Sequence, residues 1–247
     1  MTPTKWMMPV IALFSFAAGC KNPSVVKDTA AAHTLTAPAN SITGTWTGMF
    51  EPTSNNQVSS NKITLFIDQM DGGNIYGYSV CAGNDRPFKG TYTDDGDKIT
   101  ATLKEPGNGD YDGTFALVIQ KNPLSLSGTW TPFKSTLSSR QYTLVRKNFV
   151  YDPAAGRYAE TSARLLTSDD VNNLLKDELR YMRNEIFARH GYSFKIKEVR
   201  AMFDNQDWYM PISTDVRKKL TGIETANANL IKRYESYADS SYDDYGR

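Results

Sequence analysis

The sequence predicts an α+β protein in two domains, an eight-stranded antiparallel up-and-down β-barrel followed by a small all-α module of about four helices. Two changes of pattern along the chain support this prediction. Apolar and polar residues alternate with a period of two through residues 42–149, which is typical of strands. After a break at 150–164, apolar residues recur at helical spacing through 165–236.

Eight strands are predicted by stretches of alternation that end at Gly, Asn, Asp or Pro. They cover residues 43–50, 61–69, 74–82, 86–93, 97–104, 111–121, 124–131 and 139–147. One face of these stretches is apolar and the other is polar. A closed barrel would bury the apolar face and leave no exposed strand edge, and eight strands can enclose one small ligand.

The aromatic residues of the apolar face allow two interpretations. They could line a pocket for a small apolar ligand, with Arg86 and Arg140 as a charged rim, or they could fill the core. We favour the core, because side chains usually fill the interior of a small barrel. The candidate ligand-binding residues are Trp46, Tyr78, Tyr92, Trp130 and Tyr142.

The first strand carries a short motif, Gly44-Thr45-Trp46-Thr47-Gly48, which is echoed by Gly128-Thr129-Trp130. It resembles the Gly-x-Trp motif on the first strand of lipocalin- and avidin-type barrels. This resemblance implies a barrel architecture that is used for ligand binding.

The second half of the chain changes to helical patterns. The Pro153 to Gly156 stretch interrupts the alternation and indicates a linker over 150–164. Thr167 or Ser168 is the expected N-cap of a first helix. A second helix is predicted over about 177–190, with Gly191 as its stop, and two more over about 196–203 and 222–237. The polar residues 237–247 are predicted to be disordered.

The second predicted helix carries a run from Leu179 to Tyr192, LRYMRNEIFARHGY, that resembles the signature of the YARHG domain. Phe187 stands where the family name has tyrosine. The resemblance implies an extracytoplasmic helical module that often accompanies peptidase-like domains, and it implies no known reaction. The motif residues are Arg183, Asn184, Glu185, Ala188, Arg189, His190 and Gly191.

Glu185 and His190 are the candidate catalytic residues, because a carboxylate and an imidazole can act as an acid/base pair. The sequence shows no accompanying nucleophile, metal-ligand set or phosphate-binding loop, so we expect neither a metal nor a cofactor. We favour a structural interpretation. In it Glu185 pairs with Arg189 at i,i+4, while Asn184 and His190 bond to nearby backbone.

Residues 1–19 have the composition of a signal peptide, with Lys5 before an apolar stretch that is too short to span a bilayer. The stretch ends in Ala17-Ala18-Gly19-Cys20, which resembles the lipobox of bacterial lipoproteins. The resemblance implies that Cys20 is acylated, for example with palmitate, and that residues 20–41 tether the chain to a membrane. An ordinary secreted protein that is cut at the same small residues is the alternative.

The expected location is the cell envelope. Lys21 rather than Asp follows Cys20, so the outer membrane is expected if the cell has two membranes. The chain has 28 basic and 27 acidic residues, and this near balance provides no field to attract nucleic acid.

We therefore expect a membrane-anchored binding or scaffolding protein that recognises a cell-envelope component, a small apolar ligand or an exported partner. A hydrolase or peptidase-associated regulator that uses Glu185 and His190 is one alternative. A purely structural envelope lipoprotein is another, and a filled barrel without a cavity would support it.

Overall fold

A closed antiparallel barrel of eight strands forms the first part of the computed structural model, which describes residues 41–54 and 59–240. Each strand pairs with the next, and the last pairs with the first. The strands are β1 (Gly44–Pro52), β2 (Asn61–Asp71), β3 (Asn74–Cys81), β4 (Asn84–Asp94), β5 (Lys98–Lys104), β6 (Gly113–Lys121), β7 (Leu124–Pro132) and β8 (Arg140–Arg146). The predicted barrel and its eight strands are confirmed. The predicted signal peptide, Cys20 and the tether up to residue 40 lie outside the described residues.

One apolar cluster fills much of the barrel. Side chains of all eight strands contribute to it, because residues at alternate positions point to the same face of a strand. Its buried members are Trp46, Phe50, Ile63, Leu65, Ile67, Ile75, Phe88, Ile99, Ala101, Leu103, Phe115, Leu117, Ile119, Leu126, Trp130, Tyr142 and Leu144. This cluster contains most of the apolar face that the alternation predicts.

Strand β3 departs from the predicted alternation. Tyr78 lies opposite Phe66 of β2 and stacks on it outside the barrel core, with 4.2 Å between the ring centroids. Ser79 and Cys81 take inner positions of β3 instead. The outer face of this region is also buried, since Val80 is 0% exposed. Apolar residues therefore occupy both faces of β3, and alternation alone could not identify the inner one.

Four α-helices follow the barrel. They are α1 (Glu160–Ala163), α2 (Lys176–Arg189), α3 (Lys197–Phe203) and α4 (Gly222–Ser240), with 3-10 turns at Ser168–Asp170 and Arg217–Lys219. The predicted helices near 177–190, 196–203 and 222–237 are confirmed. The positive φ of Gly191, 75°, follows the end of α2 and confirms the expected stop. None of the helices in the described residues is long and apolar enough to cross a membrane.

Three details of the helical region differ from the prediction. The helix expected after Thr167 is a single 3-10 turn, because Asn172 and Asn173 follow and asparagine favours turns over helix interiors. Helix α4 continues to Ser240, four residues into the predicted disordered tail. Ala238 packs against the helical core there, while residues 241–247 lie outside the described residues.

The predicted linker is the third difference, because it contains α1 and is bonded to the helices that follow. Glu185 of α2 accepts hydrogen bonds from the backbone N–H groups of Arg157 and Tyr158, each at 2.7 Å. A chain segment with these bonds is an ordered part of the helical region rather than a spacer.

The barrel and the helical region lie within one compact unit. Lys62 Nζ of β2 donates to the carbonyl oxygen of Gln206 at 2.6 Å, and the Gly83 N–H after β3 donates to Ser193 Oγ at 2.9 Å. Gly83 has a φ of 74°, and a Cβ there would lie 2.6 Å from the Cβ of Lys195. Glycine therefore permits both the turn and the close approach of the helical region.

Candidate functional site

A cavity of about 550 Å³ opens at the end of the barrel that the helical region approaches. This volume lies within the range of about 300–1,000 Å³ that is typical of small-molecule pockets. The lining consists of Phe50, Asn61, Ile63, Ser79, Cys81, Ala82, Asn84, Arg86, Glu105, Tyr111, Phe115, Trp130, Leu137, Ser138 and Arg140, together with Lys195 and Arg200 of the helical region. The barrel is therefore not completely filled by its own side chains.

Aromatic rings form the inner wall of the cavity. The rings of Phe50 and Trp130 meet edge to face with 5.7 Å between their centroids, and Phe115 lies 6.5 Å from Trp130. Trp130 is fixed in place because its Nε1 donates to Glu105 Oε2 at 3.0 Å. A rigid wall of this kind offers apolar contact at little cost in side-chain entropy.

The predicted aromatic residues have different positions. Of the five candidates, Trp130 lines the cavity. Tyr142 packs behind it against Phe115 with 5.9 Å between centroids, and Tyr92 is partly buried against the barrel core. Trp46 lies towards the other end of β1, where its Nε1 donates to the carbonyl oxygen of Ile42 at 2.9 Å. Tyr78 points away from the barrel core, as described above.

Basic side chains surround the mouth of the cavity. Arg140 Nη1 donates to the carbonyl oxygens of Phe50, at 2.8 Å, and Ser59, at 3.2 Å. Arg200 of α3 reaches across from the helical region, and its Nε donates to Asn61 Oδ1 at 3.1 Å. Arg86 also lines the cavity and forms an ion pair with Asp112.

Burial affects the ionisable groups inside the cavity. Glu105 is 2% exposed; burial raises the pKa of its carboxyl, against the hydrogen bonds from Trp130 and Gly113. Burial likewise raises the pKa of the Cys81 thiol to about 12 and lowers the pKa of the Arg140 guanidinium. Cys81 is therefore a thiol rather than a thiolate at neutral pH, and so a poor nucleophile.

The two predicted catalytic candidates lie away from this cavity and do not bond to each other. Glu185 is 0% exposed and forms an ion pair with Arg189, which confirms the expected i,i+4 contact. Arg189 also donates to the carbonyl oxygen of Ala155, at 2.6 Å, and to Thr161 Oγ1, at 2.7 Å. The pair thus bonds α2 to the segment between the barrel and α2.

His190 bonds to a side chain rather than to the nearby backbone that we expected. Its Nε2 lies 2.7 Å from Glu224 Oε2, and its ring stacks on Tyr151 with 4.4 Å between centroids. Burial raises the pKa of Glu224, but hydrogen bonds from His190, the Thr221 N–H and Ser162 outweigh it and lower the pKa to about 2. Within the sequence, Thr221 and Glu224 form a recognisable capping box. The contact with His190 depends on the fold and has no local signal.

The other motif residues also make structural contacts. Arg183 pairs with Glu235 of α4 at 2.7 Å, and Asn184 Nδ2 donates to the carbonyl oxygen of Arg180 at 2.7 Å, as expected for Asn184. Ala188 is buried in a cluster of apolar residues. A Cβ at Gly191 would clash with Cγ1 of Ile212. Across residues 41–54 and 59–240, no group of three or more His, Cys, Asp or Glu side chains could hold a metal ion.

Among the charged groups of the cavity, sequence reasoning missed three, namely Glu105, Lys195 and Arg200. Glu105 stands at the end of a strand with no pattern around it. Lys195 and Arg200 reach the cavity because the helical region packs against β2 and β3. Only Arg86 and Arg140 belonged to the expected charged rim, and both line the cavity.

Comparison with known families identifies the class of the helical region. The family model of the YARHG domain matches residues 157–236, so the region contains a YARHG domain that begins within the predicted linker. No curated protein matches the chain.

Proposed function

We propose that this chain is an exported, lipid-anchored binding protein whose barrel holds a small apolar ligand. The cavity of about 550 Å³, with its wall of Phe50, Phe115 and Trp130, is the observation that supports this proposal most directly. The resemblance of the Gly44–Gly48 motif to ligand-binding barrels of the lipocalin and avidin type supports it further.

The two alternative functions have less support. A purely structural lipoprotein would be favoured by a filled barrel, and this barrel has a cavity. A hydrolase would need Glu185 or His190 to reach a substrate. Both are buried, at 0% and 5% exposure, and the side chains of Arg189 and Glu224 bond to them. A His190→Ala variant that lost a hydrolytic activity present in the purified chain would reverse this preference.

The membrane anchor is supported by sequence alone. Residues 17–20 resemble a lipobox, and the apolar stretch before them has the length of a signal peptide. The neighbouring Lys21 supports an outer-membrane location in a cell with two membranes. An anchored cavity could hold an apolar ligand of the cell envelope, such as a lipid component, or present it to an exported partner.

Ligand binding can be tested with N-phenyl-1-naphthylamine, a neutral apolar dye whose fluorescence rises in an apolar environment. We expect saturable binding of one dye per chain. Ser79→Phe places a ring in the cavity and should weaken binding about tenfold or more, equivalent to about 1.4 kcal/mol. Thr100→Phe, on the exposed outer face of β5, is the matched control and should bind as the wild type does.

Thermal unfolding of each variant checks that it is folded. If Ser79→Phe does not fold, Cys81→Met replaces it in the test. The methionine side chain also fills part of the cavity, and it is smaller and more flexible than a phenylalanine ring. The proposed ligand site is wrong if the dye does not saturate. It is also wrong if both Phe variants bind the dye as tightly as the wild type.

A further inference from the structure

We propose that the ligand of the cavity is a small anionic amphiphile, whose negatively charged head lies between Arg140 of the barrel and Arg200 of the YARHG domain. Its apolar part then contacts the wall formed by Phe50 and Trp130. This inference rests on the proposed function, because it specifies the chemical class of ligand for the same cavity.

Arg140 is the first half of the proposed head-group site. It lies at the start of β8, with its guanidinium carbon 5.2 Å from the centroid of the Phe50 ring. Its hydrogen bonds go through Nη1 to two backbone carbonyl oxygens. These bonds orient the planar guanidinium without neutralising its charge. Among residues 41–54 and 59–240, no carboxylate forms an ion pair with it.

Arg200 is the second half, and it comes from a different part of the chain. Its Nε is held by Asn61 Oδ1, and its Nη1 donates to the carbonyl oxygen of Lys195. Within the described part of the chain it also forms no ion pair with a carboxylate. Phe50, whose carbonyl oxygen accepts from Arg140, lies opposite Asn61, whose side chain accepts from Arg200. The two arginines are therefore held at neighbouring positions of β1 and β2 in the cavity lining.

The charge balance of the lining favours an anion. Four lining side chains are basic, Arg86, Arg140, Lys195 and Arg200, and one, Glu105, is acidic. Asp112 offsets the charge of Arg86. Asp204, at the end of α3, interacts with Arg200 and offsets part of its charge. The remaining excess is positive, and two like charges that are held close together destabilise the empty site. A carboxylate or phosphate would relieve this repulsion and accept hydrogen bonds from guanidinium groups in a geometry that suits both.

The position of Glu105 gives the ligand a direction. Its Oε2 accepts hydrogen bonds from Trp130 Nε1, at 3.0 Å, and from the Gly113 N–H, at 2.6 Å, so this carboxylate lies at the aromatic wall. An anionic head would be repelled from that wall and attracted to the two arginines. The apolar end of the ligand therefore points inward. The helical region completes the site, since the barrel alone provides only one of the two arginines.

The experiment measures displacement of N-phenyl-1-naphthylamine by probes that share one tail. Decanoate carries an anionic head, decanol a neutral one and decyltrimethylammonium a cationic one. Acetate and inorganic phosphate test the head without a tail. We expect decanoate to bind at least tenfold more tightly than decanol, decyltrimethylammonium to bind least, and the tailless anions not to displace the dye at millimolar concentration.

Two variants test the two halves of the site. Arg140→Met and Arg200→Met keep side-chain length and remove the charge, and each should reduce the preference for decanoate over decanol about tenfold. Because this preference is a ratio of two affinities measured on the same variant, a change in affinity that is common to both probes cancels. Arg217→Met is the control, because Arg217 is an exposed arginine of the helical region that pairs with Asp215. It should leave the preference unchanged.

The outcomes separate this inference from the proposed function. If the dye binds but decanoate and decanol compete equally, the cavity binds apolar ligands and the anionic class is wrong. The same conclusion follows if both arginine variants keep the full preference. If Arg140→Met alone reduces it, the YARHG domain does not supply the second contact and that part of the inference is overturned. If the dye does not bind at all, the proposed function itself fails.

Discussion

Replacing Arg189 by methionine should destabilise the helical region severely. Arg189 is 2% exposed and Glu185 is 0% exposed, and their ion pair lies within the YARHG motif. Methionine can fill much of the space of the arginine stem, but it leaves the Glu185 carboxylate without its counter-ion. Breaking a buried pair from one side costs about 3–5 kcal/mol.

The loss also affects the segment before α2. Arg189 donates to the carbonyl oxygen of Ala155 and to the hydroxyl groups of Thr161 and Ser162, so the substitution removes one hydrogen-bond partner from each of three further groups. A total of about 3–5 kcal/mol is a large part of the roughly 5–15 kcal/mol that stabilises an ordinary domain. We therefore expect residues 151–162 to lose protection from hydrogen exchange before the barrel strands do.

Urea denaturation at pH 7, followed by circular dichroism, measures the change in the free energy of unfolding. Arg183→Met is the control on the same helix, because its pair with Glu235 is partly exposed and should contribute about 1 kcal/mol or less. A double variant, Glu185→Gln with Arg189→Met, removes both charges and should recover part of the loss. The reasoning is refuted if Arg189→Met costs no more than Arg183→Met, or if the double variant is less stable than Arg189→Met alone.

Three further predictions concern acidic residues and the anchor. Burial raises the pKa of Asp204 to about 6 from 3.8, so ionisation of this carboxyl destabilises the fold as pH rises between these values. Asp204→Asn should remove a loss of roughly 3 kcal/mol in the free energy of unfolding between pH 4 and pH 7, measured by urea denaturation at both pH values. Parallel pH profiles of the variant and the wild type would contradict this prediction. The pH dependence due to Glu224 has the opposite sign, because its pKa of about 2 lies below the ordinary 4.5. Its contribution to the free energy of unfolding is present above about pH 4.5 and is lost as pH falls towards 2. Glu224→Gln should therefore flatten the fall of the free energy of unfolding in this acidic range. Cys20→Ser should abolish incorporation of labelled palmitate in growing cells, and undiminished labelling would exclude Cys20 as the acylated residue.

The barrel could be predicted from the sequence because its signals are local. Each strand alternates over its own length, and glycine provides positive φ angles that tight turns need. Gly72 and Gly73, for example, connect β2 to β3 with φ values of 54° and 82°. Alternation was less informative for β3, where Tyr78 and Val80 lie outside the barrel core and are still partly or completely buried. When both faces of a strand are buried, only the folded structure shows which face points into the barrel.

The cavity could be predicted only in part. Trp130 followed from its place on the apolar face, and Arg140 from its place near the start of a strand. Arg200 is an ordinary basic residue of a short helix, and nothing in its neighbourhood distinguishes it from Arg217. Its position depends on contacts such as that between Gly83 and Ser193, which join residues far apart in the sequence. The partner of His190 was missed for the same reason.

The YARHG motif and the cavity are connected by the residues between α2 and α3. The buried pairs of Arg189 and His190 fix the end of α2, and the positive φ of Gly191 turns the chain there. Ser193 then accepts the hydrogen bond from Gly83 of the barrel, and α3 brings Arg200 to the mouth of the cavity. In the proposed function the polar residues of the motif need no chemical reaction of their own. They would affect ligand binding by positioning the part of the helical region that lines the cavity.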